Sequence, residues 1–475
     1  GVLTRLLTSP PVRLALCLAG MSLASAPGCT GDCVGASCSD LYPRLDLGFF
    51  GVDTLRSDGL DARSPDTTLS LTADDGLDAS FATTDRLYVG VPAVGEVRMW
   101  SGAEVLAGSD ATVLSARVSG DRFGASVAAR GDRVLVGAPD HARSATVAAA
   151  GAVYVFDSAT PTALGQASHV VTGSEADGRL GSRVWACGDL DGDGADDWAA
   201  QAPWAGDELQ GALLLGLSAT LPADVNLDSA DLPALGGTGA DAAFGTAAAC
   251  SEPLAGAPNA TLVVGAPFAA ADGHDAAGTV SIWSSVADTS AGPALVLTGD
   301  EAGAYFGTSV ATGDLDADGF PELVVGAPGQ DAPGVDGGVG GAVYVYAGTD
   351  LQEALGTGVA PQQVRTMRGE FSRGRFGNAI VVADLDADGT DDLFVGAPGT
   401  NRTGEVATTH AGEACGWWGP YTDWPEAAFS TDASVLLAAD RQYLEVGEAL
   451  ATLDLDGDGA LELAVRLRQP TRNKR

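Results

Sequence analysis

The 475-residue chain has little positive charge, few aromatic side chains and no apolar run long enough to cross a bilayer. It carries 25 Lys and Arg against 63 Asp and Glu, which gives a net charge of −38, and its single lysine is Lys474. A protein that neutralises nucleic-acid phosphates needs clustered basic side chains, so nucleic acid is excluded as a partner. Schiff-base chemistry and a Walker-type phosphate loop both require an internal lysine and are excluded as well. An acidic chain is instead suited to holding cations.

Signatures of catalysis are also scarce. The four histidines are scattered through the sequence, at His141, His169, His274 and His410. None of them has the H-E-x-x-H spacing of a zinc protease, and no G-x-S-x-G nucleophile motif occurs. No C-x-x-C pair exists, which leaves zinc ribbons and thioredoxin-type redox motifs without support. The sequence therefore predicts a protein that is not an enzyme.

The first 28 residues are predicted to be a signal peptide. Arg5 and Arg13 precede an apolar run over residues 14–26, which is too short for a membrane-spanning helix but suits a secretory signal. Small residues then lead to Cys29, which resembles a lipoprotein cleavage site and would carry the lipid; ordinary cleavage near Ala26 is the alternative. Residues 29–46 are predicted to be a linker, in which Cys33 and Cys38 lie close enough to form a disulfide. The protein is expected at the cell envelope or outer surface, or secreted, with membrane contact only through a lipid anchor.

Internal repetition is the main signal from residue 47 to residue 475. Each unit has Phe-Gly, an apolar strand, sometimes an acidic loop, a strand that ends in Gly-Ala-Pro, and then Gly-x-Val-x-Val. The four clearest copies begin at Phe123-Gly124, Phe244-Gly245, Phe306-Gly307 and Phe376-Gly377. Degenerate copies complete a set of seven units, in which the glycine of Gly-Ala-Pro or its counterpart is residue 90, 137, 201, 265, 326, 396 and 466. Steps of this length suit a blade of four short strands.

The repeat predicts an all-β, seven-bladed β-propeller with four-stranded blades; a row of β-sandwiches is the alternative. Runs such as Leu323-Val-Val325 are short and β-branched, as a buried strand requires. In Gly-Ala-Pro, glycine is expected to permit the turn, and proline to withhold a hydrogen-bond donor. The seventh unit stops before its Gly-x-Val-x-Val strand. We therefore expect a segment before the first unit, Leu45–Asp53 or Thr67–Leu71, to complete that blade; an altered C-terminus is the alternative.

Four units contain an acidic loop with carboxylates at loop positions one, three, five and nine and glycine at position six. Calcium takes about six to eight oxygen ligands, and alternate residues of a tight loop can point toward one centre. Position twelve lies in the following strand, which excludes an EF-hand; solvated acidic turns are the remaining alternative. The expected ligands are Asp189, Asp191, Asp193 and Asp197; Asp314, Asp316, Asp318 and Glu322; Asp384, Asp386, Asp388 and Asp392; and Asp454, Asp456, Asp458 and Glu462.

Phe-Gly, the aspartate loop and Gly-Ala-Pro recur in an order that resembles the FG-GAP repeats of the integrin alpha-subunit β-propeller. The resemblance covers nearly everything from residue 47 onward. It implies up to four bound Ca²⁺ ions, one in each acidic loop. Glutamate at position nine in two of the loops departs from the usual aspartate. Some proteins of this family are hydrolases, but their catalysis is attributed to a separate zinc domain that this sequence lacks.

An aromatic-rich segment, residues 410–435, is predicted to be an insertion between units six and seven. Aromatic side chains on a loop can form a binding hot spot or a platform for sugars, here Trp417, Trp418, Tyr421 and Trp424. Packing against the core of their own blade is the alternative. Two functions follow: a calcium-binding surface scaffold for adhesion or recognition of a protein or glycan, or an exported hydrolase or lyase acting on polysaccharide in the propeller channel.

Overall fold

A computed structural model describes residues 45–50, 68–71, 80–83, 86–116, 120–206, 210–218, 221, 225–237, 242–251, 259–331, 339–401, 411–438, 445–454, 456 and 458–468. The predicted signal peptide, Cys29, Cys33, Cys38 and nearly all of the predicted linker lie outside these residues. The described part is almost entirely β-sheet. This confirms the predicted fold class.

The strands form small antiparallel sheets, which we call blades and number by sequence unit. The chain begins with two strands that belong to the last blade, β1 (Leu45–Phe50) and β2 (Thr68–Leu71). Blade 1 follows with β3 (Ser80–Thr83), β4 (Arg86–Val91), β5 (Glu96–Ser101) and β6 (Thr112–Ser115). Blade 2 has β7 (Ser126–Arg130), β8 (Arg133–Ala138), β9 (Ala152–Asp157) and β10 (His169–Thr172). Blade 3 has β11 (Val184–Ala186), β12 (Trp198–Ala202), β13 (Ala212–Gly216) and β15 (Ala234–Gly236), while β14 (Asn226–Asp228) pairs in parallel with β10.

The second half of the chain continues the same pattern. Blade 4 has β16 (Ala247–Ser251), β17 (Thr261–Ala266), β18 (Thr279–Trp283) and β19 (Leu295–Thr298). Blade 5 has β20 (Ser309–Gly313), β21 (Glu322–Ala327), β22 (Ala342–Tyr346) and β23 (Arg365–Arg368). Blade 6 has β24 (Ala379–Ala383), β25 (Asp392–Ala397), β26 (Glu413–Trp417) and β28 (Val435–Ala438), while β27 (Ala427–Phe429) pairs in parallel with β23. Blade 7 joins β29 (Leu450–Leu453) and β30 (Glu462–Arg468) to β1 and β2.

Helical segments occur only between the third and fourth strand of a blade, within the residues that the structure describes. They are α1 (Gly102–Ala107), α2 (Gly348–Thr357) and 3₁₀ turns at Leu164–Gln166, Ser229–Asp231, Thr289–Ala291, Tyr421–Asp423 and Ser430–Asp432. Ser101 and Glu104 form a capping box that begins α1, since each side chain accepts a backbone N–H of the other residue. Gly358 ends α2 in the left-handed conformation.

The first strands of the blades contact one another in a closed circle. The order is β3, β7, β11, β16, β20, β24 and β29, and β29 returns to β3. Each hydrophobic cluster of the described residues lies between two neighbouring blades. The cluster between blades 7 and 1, for example, joins Leu453 and Ala464 to Leu87 and Trp100. Each blade therefore buries its two faces against its neighbours, which is the packing of a β-propeller.

The N-terminal strands complete the last blade, as the sequence predicts. β1 pairs antiparallel with β30, with Leu45 opposite Arg468 and Phe50 opposite Leu463. β2 pairs with the other edge of β1, which gives the order β2-β1-β30-β29. Strands from the two ends of the described chain thus share one sheet. This pairing closes the circle without leaving an unpaired edge on β30.

The repeated Phe-Gly and Gly-Ala-Pro motifs bring neighbouring blades into close contact. Within blade 5, the Gly307 N–H donates to the Gly326 carbonyl at 3.0 Å, and Gly307 has a φ of 85°, which favours glycine. A Cβ on Gly326 would lie 2.1 Å from the Gly377 carbonyl oxygen of blade 6. Equivalent glycines would meet the next blade at 2.0 Å, at positions 137, 265 and 396. The Gly-Ala-Pro glycine is thus required by close approach of the next blade, which corrects the prediction that it permits a turn.

The described residues of the aromatic-rich segment, 411–435, supply strands to two blades. β26 supplies the third strand of blade 6, with Trp417 opposite Leu393 and Cys415 opposite Val395. β27 then adds a fifth strand to blade 5, and β28 completes blade 6. The Gly404-Glu-Val406 sequence, which resembles a weak third strand, lies outside the described residues. The predicted boundary at residue 410 lies outside the described residues and stays a prediction, whereas the described residues that follow it contain strands of blades 5 and 6.

Candidate metal-binding loops

The four acidic loops occupy equivalent places in four blades, between the first and the second strand. Loop 1 (Asp189–Asp197) connects β11 to β12, and loop 2 (Asp314–Glu322) connects β20 to β21. Loop 3 (Asp384–Asp392) connects β24 to β25, and loop 4 (Asp454–Glu462) connects β29 to β30. The ninth residue of loops 2, 3 and 4 is also the first residue of the second strand. Each loop is therefore held at both ends by a sheet.

Carboxylate oxygens converge within each loop. Each group offers one oxygen per residue, and those oxygens lie within 4.8 Å of one another. Two oxygens that contact the same Ca²⁺ at about 2.3–2.6 Å can be up to about 5 Å apart, so a single ion fits each group. The converging residues are Asp189, Asp191 and Asp197; Asp314, Asp316 and Glu322; Asp384, Asp386 and Asp392; and Asp454, Asp456 and Asp458. These four groups could each hold a cation.

Position five behaves differently from the sequence expectation in loops 1 to 3. Asp193, Asp318 and Asp388 are exposed and do not belong to the converging groups. Each instead accepts the backbone N–H two residues later, at 2.8–2.9 Å. In loop 4, Asp458 belongs to the group and Glu462 does not. The structure thus brings together positions one, three and nine in three loops and positions one, three and five in the fourth.

Position nine is the buried carboxylate of each of the first three loops. Asp197, Glu322 and Asp392 are at most 1% exposed. Each accepts two backbone N–H groups, one from the leucine at position two and one from the end of the third strand. In loop 2, Glu322 accepts from Leu315 at 2.7 Å and from Gly348 at 3.1 Å. Position nine therefore ties the loop to the residues that follow the neighbouring third strand of its own blade, a link that the sequence alone does not reveal.

The first and third positions are organised by the loop backbone. In loop 1, the two oxygens of Asp189 accept the N–H groups of Gly192, Asp193 and Gly194 at 2.6–3.1 Å. Asp191 accepts the N–H of Asp193 at 3.1 Å. The glycine at position six has a φ of 86–93° in the four loops, as its sharp turn requires. Backbone donors thus orient the carboxylates toward one another.

Burial and like charge perturb the acids of these loops. Burial raises the pKa of Glu322 to about 8, and the neighbouring Asp316 and Asp318 carboxylates add to the rise. Burial also raises the pKa of Asp197 and of Asp392 to about 6, again with help from nearby carboxylates. Both causes disfavour the ionised form. A bound cation would reverse this preference by supplying positive charge at the point where the carboxylates converge.

Contacts between blades hold the loops in place. The Asp314 N–H of loop 2 donates to Asp391 of loop 3 at 2.8 Å. Arg130, in the β7–β8 hairpin of blade 2, lies 3.4 Å from Asp196 of loop 1. Tyr421 donates its N–H to the Leu315 carbonyl of loop 2 at 2.8 Å. Its hydroxyl also hydrogen-bonds to Asp316, and burial together with the nearby Glu322 and Asp316 raises the Tyr421 pKa to about 12.

Most of the predicted aromatic ligand surface is buried in the protein. Trp417 is 2% exposed, and Tyr421 and Trp424 are each 8% exposed. Trp418 is partly buried and packs against Phe394, with ring centroids 5.8 Å apart. These side chains belong to the core between blades, which corrects the expectation of an aromatic binding surface. The alternative interpretation of the sequence, in which these aromatic side chains pack against the core, agrees with the structure.

The exposed aromatic side chains lie elsewhere. Trp204 and Phe268 are 43% and 50% exposed, and each follows the Ala-Pro that ends a second strand. Tyr305 is 37% exposed, and its ring centroid lies 5.3 Å from that of Phe268. Trp204 and Phe268 could be found from the sequence, because the position directly after Gly-Ala-Pro holds aspartate or glycine in other units and a bulky aromatic residue in these two.

A disulfide joins blades 3 and 4. It connects Cys187, which follows β11, to Cys250 in β16, and their Cα atoms are 5.1 Å apart. Cys415 is buried in β26. The sequence left these pairings open.

Comparison with known proteins identifies the repeat. Models of the FG-GAP repeat match residues 306–346 and 376–408, and a second FG-GAP repeat model matches residues 113–156. The chain carries FG-GAP repeats. The described matched residues fall mainly in blades 2, 5 and 6, two of which contain an acidic loop, and the first of them lie in β6 of blade 1. The likeness to integrin alpha subunits that the sequence predicts is confirmed by the relatives described next.

Two groups of relatives share part of this FG-GAP chain. Phosphatidylinositol-glycan-specific phospholipase D of Rattus norvegicus is 32% identical over 163 residues, which cover 34% of this chain and 18% of that protein. Integrin alpha-3 of Cricetulus griseus is 37% identical over 139 residues, 29% of this chain and 12% of the integrin. Integrin alpha-5 of Xenopus laevis is 39% identical over 104 residues, which cover 21% of this chain and 9% of the integrin. The match thus spans less than a fifth of the length of each relative.

Proposed function

We propose that this FG-GAP chain is a calcium-binding, non-catalytic recognition scaffold of the cell surface, acting in adhesion or in binding a protein or glycan. The observation that carries the proposal is the convergence of three carboxylates in each of four equivalent loops. Four equivalent catalytic centres in one ring would be unusual, whereas four equivalent structural ions suit a repeat. The partial similarity to integrin alpha subunits supports the same function.

The residues of each loop would act by organising the backbone around the cation. Positions one, three and nine of loops 1 to 3 supply the oxygens, and their backbone hydrogen bonds preorganise them. A bound Ca²⁺ would supply the positive charge that cancels repulsion among these carboxylates. Because position nine also binds the end of the third strand, the ordering of the loop extends across its blade. The result would be a rigid surface that loses less conformational entropy when it binds a partner.

Export to the cell surface is part of the proposal. It is supported by the predicted signal peptide and by the disulfide between Cys187 and Cys250, a bond that persists in oxidising compartments. Neither α1, α2 nor any 3₁₀ turn in the described part of the chain has the length and apolar character of a membrane-crossing helix. Attachment through lipid on Cys29 would be tested by mass spectrometry of the mature protein, which would detect or exclude an acylated N-terminal cysteine.

A second candidate function is hydrolysis or cleavage of a polysaccharide or related substrate in the central channel. Two observations favour it: the similarity to a phospholipase D and a cavity of about 830 Å³ at the ring centre. The two functions are separated by one pair of measurements. Isothermal titration should give up to four calcium sites, and Asp191→Asn and Asp386→Asn should each remove one. Incubation with polysaccharides, glycosides and phosphodiesters should give no turnover, and calcium-dependent turnover would overturn the non-catalytic proposal.

A further inference from the structure

The central channel concentrates positive charge in a strongly acidic chain. The first strands of blades 2 to 7 surround the cavity of about 830 Å³ at the ring centre. Three arginines and one glutamate line it, so its formal charge is +2, although the whole chain has a charge of −38. Lined mainly by alanine, valine, serine and threonine, the channel has few other groups that could neutralise this charge. A positive channel in an acidic protein is suited to an anion.

Arg183 is the channel arginine with the most available charge. It lies directly before β11, and among the described residues no side chain forms an ion pair with its guanidinium. The guanidinium is reached by solvent through the channel but is surrounded by the inner strands, and this burial lowers the pKa of Arg183. The equivalent first-strand positions of other blades hold Ser126, Ala247 and Ser309, so the charge does not follow from the repeat.

The other charged channel residues form a network at the same end of the first strands. Arg375 donates to the Asn378 side-chain oxygen, and the Asn378 amide donates to the Glu448 carbonyl oxygen at 3.2 Å. The Glu448 carboxylate lies 3.8 Å from Arg466 and offsets its charge. Arg183 and Arg375 therefore carry the net positive charge.

The acidic loops lie at the opposite end of the first strands. Arg183 precedes β11 and loop 1 follows it; in the same way Arg375 precedes β24 and loop 3 follows it. The carboxylates of the candidate metal sites and the arginines of the channel are thus separated by the length of a strand.

We propose that the channel binds a small ligand through an oxyanion, carried as a carboxylate or as a phosphate ester, with Arg183 as the principal contact and Arg375 as the second. Arginine recognises both oxyanions by the same paired N–H geometry, and the bonds are strengthened by charge. The cavity volume lies within the usual range of about 300–1,000 Å³ for small-molecule sites. The serines, threonines and alanines around the channel leave room for the ligand beside the guanidinium groups.

The test uses two pairs of sugars, in each of which one member carries an acidic group that the other lacks. Galacturonate is compared with galactose, and glucose 6-phosphate with glucose, by isothermal titration of the full chain in excess calcium. Trp185 lines the channel two residues from Arg183, so a ligand-dependent change in tryptophan fluorescence that is lost in Trp185→Phe gives a second, local measurement. Arg183→Gln lowers the formal charge of the channel from +2 to +1 and removes the proposed principal contact. Arg143→Gln is the matched control, because Arg143 does not line the channel and pairs with Asp228 at 2.5 Å.

At least one charged sugar is expected to bind ten times or more tightly than its neutral partner, and the preferred one identifies the oxyanion as carboxylate or phosphate. Arg183→Gln should weaken that binding at least tenfold, and Arg143→Gln should change it less than twofold. If Arg183→Gln fails to fold, Arg375→Gln makes the same test. Equal binding of charged and neutral sugars, or full affinity in the folded channel variants, would overturn the proposal. Calcium binding would be unaffected by that failure, because no channel arginine belongs to an acidic loop.

Discussion

In calcium-free buffer, the free energy of unfolding is expected to fall between about pH 4.5 and pH 8, and Glu322 is the largest single cause. Burial raises its pKa from 4.5 to about 8 in the folded protein. A group whose folded pKa lies above its unfolded value contributes full stability below the unfolded pKa and loses it as the pH passes the folded pKa. The folded state therefore favours protonated Glu322, and ionisation at higher pH destabilises it.

The size of this effect follows from the two pKa values. At about 1.4 kcal/mol per pH unit, a rise from 4.5 to about 8 corresponds to about 5 kcal/mol. Asp197 and Asp392, each with a pKa raised from 3.8 to about 6, change in the same direction by about 3 kcal/mol each. These contributions are comparable with the whole stability of many domains, about 5–15 kcal/mol. A calcium ion that binds the ionised carboxylates should remove most of the pH dependence.

The assay is urea unfolding followed by tryptophan fluorescence at several pH values, for the natural chain and for Glu322→Gln. Glutamine cannot ionise, so its loss of one hydrogen-bond acceptor shifts stability by about 1–3 kcal/mol at every pH. The difference between the two proteins should therefore change by about 5 kcal/mol across the window without calcium and much less with about 10 mM calcium. A difference that stays constant with pH in calcium-free buffer would refute the reasoning.

Three further predictions concern packing and closure. Gly326→Ala should destabilise the protein by about 3 kcal/mol or more in urea unfolding, since its Cβ would overlap the next blade, whereas Gly356→Ala, with open space around it, should not. Leu47→Pro removes a backbone hydrogen-bond donor from a strand that is paired on both sides, so it should lower the free energy of unfolding by about 1–3 kcal/mol. It should also make the chain termini more sensitive to protease. Unchanged proteolysis would count against closure through β1. Trp417→Ala should lower stability by about 3–5 kcal/mol, whereas exposed Phe268→Ala should change it little in the same measurement.

The repeat made most of the fold predictable from sequence. The seven marker positions, from Gly90 to Arg466, all fall in the second strand of a blade. Because a buried strand needs a short β-branched run and close blade contact needs glycine, these features are local and can be read from a few residues. Closure by β1 was predictable for another reason: the last unit lacked a strand, and an unpaired edge is unfavourable.

The remaining features depend on contacts between residues far apart in sequence. The third strand of blade 6 has the sequence Glu413-Ala-Cys-Gly-Trp417, which lacks the β-branched residues of the third strands in blades 2, 4 and 5. The pairing of Cys187 with Cys250 spans 63 residues and has no local signal. The pattern of acidic residues predicted four loops, but it could not show that position five is directed away from the group in three of them. That difference does not come from the backbone N–H that position five accepts, because Asp458 in loop 4 accepts the same N–H, two residues later, as its counterparts do.

The ninth loop residue links each candidate ion site of loops 1 to 3 to the residues that follow the third strand of its blade. In loops 1 to 3, its two carboxylate oxygens accept one N–H from the loop and one from the end of the third strand, at Ser218, Gly348 and Gly419. A change in its charge therefore acts at both places at once. Glu322, whose longer side chain makes the same two bonds, shows that either acidic residue can form this link. Glu322→Asp tests this link by two measurements, calcium affinity and the hydrogen-exchange rate of the Gly348 amide. If Glu322 acted only on the loop, the substitution would weaken calcium binding and leave the exchange rate of Gly348 unchanged. We expect both to change, because the backbone of loop 2 is spaced for the longer side chain of Glu322, whereas in loops 1 and 3 it is spaced for the aspartates that make the same two bonds.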